Sequence, residues 1–173
     1  VPVCTQPNLP LDAIEMLYWG HEWQLGYHKH PPLPAWTAEA AAVAISNAPW
    51  SLYLLPQLAV AITLWAVWRL GREIVSPQAA FLAALLLECC AYYNLTAVEF
   101  NNNVGTYPCW ALAILFFYWA LTAGKNRHWL AAGACLGLGL LAKYSAGVLG
   151  VAMLGFLILQ PEARRNWRRP GPY

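Results

Sequence analysis

The sequence predicts an all-α integral membrane fold: a multispan helical bundle of about five spans, with an outer first loop containing short interfacial helices. Three observations carry that expectation. Charged residues make up 10% of the chain and hydrophobic ones 60%, where a soluble domain carries about 25% charged residues. Long apolar runs recur, most of them near the roughly 20 residues a bilayer core demands of a helix. The basic residues stand in clusters between those runs. Ten Trp and nine Tyr fit anchoring at a membrane interface. A formal charge of +2 is too small to argue for a nucleic-acid partner.

Residues 1–48 read as the outer loop. Val1 to Pro10 lacks the basic and apolar regions of a signal peptide. With no initiator Met and an abrupt end, the chain is expected to be a piece of a longer one. Ala38 to Ser46 is apolar and Ala-rich but too short to cross, so an interfacial helix is expected there. Residues 49–159 carry the spans. Pro49 to Trp68 is the first, closed by Arg69 and Arg72; Pro77 to Leu95 is the second, with Glu88 in its middle. Val104 to Ala123 is the third, closed by Lys125, Arg127 and His128. Trp129 to Leu159 holds one charge, Lys143. As a single helix rising about 1.5 Å per residue it would overshoot a hydrocarbon core of about 30 Å.

Charge bias divides that last run. Lys and Arg concentrate on the cytoplasmic side of a membrane protein. Arg69 and Arg72, then Lys125 and Arg127, then Arg164, Arg165, Arg168 and Arg169 share a side only if Trp129 to Leu159 crosses twice. Two short helices should therefore meet near Lys143. Asp12 to Trp36 and Thr96 to Asn103 face outward, and residues 160–173 form a cytoplasmic tail.

The outer polar residues are the candidates for chemistry. Asp12 and Glu15 stand three apart in LDAIEML and share a helix face. The plainer reading makes Asp12 the N-cap of a helix starting after Pro10. In LGYHKHPPLPAW, Pro31 and Pro32 favour extended backbone and fix the side chains of His28, Lys29 and His30. The alternative is an interfacial loop anchored by Tyr27 and Trp36. His28 and His30 beside a carboxylate leave a divalent metal open. Glu99, Asn101, Asn102 and Asn103 form a polar knot between two spans, or a solvated loop. Glu88, a carboxylate within a span, should face the bundle interior. Lys143 and Tyr144 lie among the glycines of LGLGLLAKYSAGVLG. A cation at a hairpin tip suits the phosphate of a lipid-linked substrate; simple snorkelling to headgroups is the alternative. Cys4, Cys89, Cys90, Cys109 and Cys135 contain no CxxC pair and offer no metal framework.

Three of these stretches together resemble the glycosyltransferase family 39 type, the dolichyl-phosphate-mannose protein mannosyltransferase and aminoarabinose transferase relatives. Gly26, Tyr27, His30, Pro31, Pro32, Leu33 and Trp36 match that family's GY-x-x-HPPL-x-x-W segment. NNNVGTYPCWALAILFFYWAL resembles its next outer loop and span, and GLGLLAKYSAGVL its GL-x-x-x-KY element. The resemblance implies a GT-C-type architecture with an active site on the outer face, in a bacterial inner membrane by family habit. It implies transfer of a sugar from a polyprenyl-phosphate donor to a lipid or protein acceptor. Asp12 would be the base, with Glu15 beside it. Lys143 and His30 would steady the departing phosphate, with Lys29, Glu99, Asn103 and Tyr144 as further substrate contacts. Two departures stand out. The usual adjacent acids are split here into Asp12 and Glu15, and Asn103 occupies the place of a common Asp. The competing readings are a transporter of lipid-linked substrates, with Glu88 and Lys143 on its pathway, and a non-catalytic membrane fragment. A transporter should show matched broken helices in two halves, and only one such hairpin is visible.

Overall fold

The computed structural model describes residues 8–45, 49–168 and 171–172. Cys4, Ser46 and Arg169 of the sequence reading lie outside them. The described residues form seven α-helices and no strand: α1 (Leu11–His21), α2 (Leu33–Ala44), α3 (Trp50–Ile74), α4 (Pro77–Glu88), α5 (Asn102–Ala123), α6 (Asn126–Ala142) and α7 (Ala146–Leu159). Two 3-10 turns, Thr96–Val98 and Ala163–Arg168, complete the order.

Two helices, α3 and α5, are long and apolar enough to cross a membrane. The expected Pro77–Leu95 span is helical only to Glu88. At about 1.5 Å per residue that is roughly 18 Å, short of a core of about 30 Å. The reason lies beyond the helix. Cys90 N donates to Leu87 O (3.0 Å), Tyr93 N to Cys90 O (2.9 Å) and Thr96 N to Ala91 O (3.0 Å), so the chain coils into successive turns. These turns bring the Tyr92 and Tyr93 rings to 5.4 and 5.1 Å from Tyr107 of α5. Ring packing of that kind offsets the lost helical bonds. Glu88 therefore ends a helix rather than sitting in mid-span.

The apolar run from Trp129 to Leu159 breaks at Lys143, whose backbone is extended (φ −158°, ψ 130°). α7 then returns along α6. A Cβ placed on Gly150 would lie 3.1 Å from Leu136, and one on Gly147 3.6 Å from Leu140. Small residues permit that approach.

α2 begins at Leu33, five residues before the expected Ala38. Pro34 sits in its first turn, where a helix needs no N–H. Pro32 already has helical backbone (φ −82°, ψ −20°). HPPLPAW is thus half loop and half helix, not an extended strip throughout.

α1 and α2 approach closely at Gly20, where a Cβ would stand 2.3 Å from Ala35 O. Their shared core joins Met16, Trp19, Ala35 and Ala38 to Leu52, Val60, Phe100 and Val104 of the later elements. Between α1 and α2, Trp23 holds positive φ (49°) and its ring stacks on Trp36 at 6.4 Å. At the other end of the bundle Trp129 packs with Ala120, Leu157 and Ala163, and the Arg69 guanidinium lies 5.2 Å over Trp119. Leu82, Leu86, Val148 and Val151 point outward and stay exposed, an apolar exterior of the kind that marks a membrane-facing surface.

Candidate active site

Pro10 leads into α1 as its N-cap, and no side chain caps that end. Asp12 is therefore not the cap. The Pro10 carbonyl accepts from Ile14 N at 3.1 Å, which starts the helix and leaves the Asp12 carboxylate unused by capping. Glu15 follows three residues later on the same face. Both line a cavity of about 60 Å³ with Met16, His30, Asn101, Asn102, Asn103 and Lys143.

Each wall of this cavity has its own local support. Asn101 Oδ1 accepts from Asn103 N (3.0 Å) and Val104 N (3.1 Å), capping α5. Asn102 is buried and donates from Nδ2 to Ala142 O at 3.0 Å, tying the start of α5 to the end of α6. Lys143 Nζ donates to Asn103 Oδ1. The His30 carbonyl accepts from Tyr27 N at 3.1 Å, and the Tyr27 ring stacks on Trp19 at 5.3 Å. That turn sets His30 against the α1 face bearing Asp12. Lys29 Nζ donates to Glu15 Oε1 at 2.6 Å. The Lys29 side chain is 53% exposed, so the pair contributes at most about 1 kcal/mol; its use is to orient Glu15.

Two larger cavities meet this one. The first, about 560 Å³, is lined by Glu99, Thr96, Asn101, Asn103, Tyr92 and Tyr107. Desolvation raises the Glu99 carboxyl above its ordinary pKa of 4.5, the negative charge of Asp12 raises it further, and a hydrogen bond with Asn101 opposes both. The second, about 340 Å³, is walled by Val67, Tyr93, Tyr107, Trp110 and Ile114, with Lys143 and Asn103 also on its lining.

Of the residues singled out in the sequence, Asp12, Glu15, His30, Asn103 and Lys143 therefore share one cavity. Glu99 faces the neighbouring one, and Lys29 acts on the site through Glu15. Tyr144 is 69% exposed and lines none of the three. Among the described residues no three His, Cys, Asp or Glu side chains converge to hold a metal ion. His28 instead lies edge-on to Trp19 at 5.6 Å. The sequence held no hint that Asn102 would reach Ala142, nor that Met16 and the tyrosines of the turn would line the cavities. The local signal that could have found the α5 start is the Asn run before an apolar segment, since Asn is a favoured N-cap.

Residues 29–173 match the family model described as dolichyl-phosphate-mannose-protein mannosyltransferase. The chain belongs to that family. It is a glycosyltransferase family of membrane type, and it implies a lipid-linked sugar donor and an acceptor in general terms. No curated protein and no solved structure matches the chain. The match to the mannosyltransferase family covers His30, the three asparagines and Lys143. It begins after Asp12 and Glu15, whose candidacy stands on the cavity they line.

Proposed function

We propose that this mannosyltransferase-family chain moves a sugar from a polyprenyl-phosphate donor to a lipid or protein acceptor, at the outer face of a bacterial inner membrane. The observation that carries the reading is the meeting of Asp12, from the first helix, with Lys143, from the break between α6 and α7, in one cavity. A base and a cation on one small space are what displacement at a phosphate-linked sugar needs. Asp12 takes the proton of the acceptor hydroxyl. The hydroxyl oxygen attacks the sugar's anomeric carbon, the bond from that carbon to the phosphate oxygen breaks, and the configuration inverts. The phosphate leaves with the bonding pair, and its charge is met by Lys143 and His30. Glu15, held by Lys29, backs Asp12. The 340 Å³ apolar cavity takes the lipid side of the donor, and the 560 Å³ cavity with Glu99 takes the acceptor. Tyr144, exposed beside Lys143, packs against the donor's chain.

The same reading places α3 to α7 in the membrane as five crossings, with α4, α6 and α7 as the short ones. The grouping of Arg69, Trp119 and His128 at one end of the bundle supports it: the Arg69 guanidinium lies over Trp119, and His128 Nδ1 is 3.2 Å from Trp119 O.

The test is sugar transfer by the full chain in membranes supplied with a radiolabelled polyprenyl-phosphate sugar. Asp12→Asn should lower the rate about 10²- to 10⁴-fold, and Lys143→Ala should abolish donor use. Unchanged transfer in both variants removes the site assignment. Labelled lipid changing leaflets without any transfer replaces the enzyme with a transporter.

A further inference from the structure

Lys143 is held by an amide where an ion pair would be the common solution. Its ammonium donates to Asn103 Oδ1. The backbone of Asn103 is itself fixed, because its N–H donates to Asn101 Oδ1 at 3.0 Å. The next-door residue Asn102 grips the carbonyl of Ala142, the residue before Lys143, at 3.0 Å. Two adjacent asparagines on α5 thus clamp two successive residues across the α6–α7 break. Asn103 lines all three cavities, and Lys143 lines two of them. Their contact is the junction of the whole site.

We propose that Asn103 is a positioning residue that fixes the Lys143 ammonium without neutralising it, keeping the cation free for the phosphate of the donor. The inference rests on the transferase reading above. An ammonium has three N–H donors. The amide takes one, and two remain for phosphate oxygens. A carboxylate in the same place would accept the same bond but cancel the charge. The local balance makes this matter. Asp12 and Glu15 bring two carboxylates to the small cavity, and Lys29 is engaged with Glu15. Lys143 is then the cation that faces Asp12 across the site. A third carboxylate would tip the cavity negative and repel an incoming phosphate.

The experiment measures binding of radiolabelled polyprenyl monophosphate to the full chain in nanodiscs, for the unaltered protein, Asn103→Asp, Asn103→Ala and Lys143→Ala. Asn103→Asp is nearly isosteric and adds only charge, so its melting temperature should match that of the unaltered protein. Its affinity should fall about tenfold or more, a loss of roughly 1.4 kcal/mol. Asn103→Ala, which frees Lys143 but keeps its charge, should bind better than Asn103→Asp. In transfer assays Asn103→Asp should raise the donor KM and leave the acceptor KM alone, a split that a merely structural defect would not produce. Equal binding by Asn103→Asp and the unaltered protein, with binding lost in Lys143→Ala, overturns this role and leaves the transferase reading standing. Absence of binding by the unaltered protein overturns both.

Discussion

Glu99 shows how one side chain reports on the site around it. Burial and the nearby Asp12 charge both favour its protonated form. The folded chain therefore holds that proton to higher pH than the unfolded chain. Between the ordinary carboxylate value of 4.5 and the raised folded value, stability falls as pH rises. Glu99→Gln removes the loss. The variant should melt above the unaltered protein at neutral pH, and the gap should close on acidification toward pH 4.5; thermal melts in detergent across pH measure it, and a gap that widens in acid contradicts the assignment. Asp12 itself could be picked out from the sequence, by its spacing to Glu15. Its partners could not, because they sit far along the chain.

At the scale of the elements, two contacts hold the cavity's walls. Gly20 lets α1 meet α2, and a Cβ there would collide with Ala35 O at 2.3 Å and Glu39 Cβ at 2.8 Å. Gly20→Ala should cost about 1–3 kcal/mol through overpacking and swing the Asp12 face away from Lys143. A lower melting temperature together with weakened donor binding would show both effects. Asn101 caps α5. Asn101→Ala should cost about 0.5–2 kcal/mol, read as a drop in the thermal midpoint; an unchanged midpoint would mean the cap does not hold α5. Helix type was legible throughout, but helix ends were not. α4 stops at Glu88 because the following turns pack Tyr92 and Tyr93 against Tyr107 of α5, a contact between a turn and a helix further along the chain that no local pattern contains. α2 starts early because Pro34 suits a first helical turn, a cue that the apparent stiffness of HPPLPAW concealed.

Across the whole molecule, the question is how many times the chain crosses. α3 and α5 have the length for it. α6 is the informative short helix, because Lys125 and Tyr144 flank it and both are exposed. With the native cysteines replaced, cysteine at Lys125 should react with a membrane-impermeant thiol reagent only from the cytoplasmic side. Cysteine at Tyr144 should react only from the outer side. Labelling of both from one side would remove the α6–α7 hairpin from the membrane.

Composition and charge order by themselves determined the all-helical, membrane-type class, the break at Lys143 and the shortlist of polar residues. These are properties of runs and spacings, and they survive without knowledge of contacts. The tertiary structure alone decided which of those residues share a space. Asp12, His30, Asn103 and Lys143 come from three separate parts of the chain, and they converge because Gly20 brings α1 onto α2 while Asn102 ties α5 to α6. It also left Tyr144 outside the cavities and set Glu99 in the neighbouring one. The physical reason is that a cavity is the space left after helices pack, and packing depends on small residues and single hydrogen bonds between distant segments.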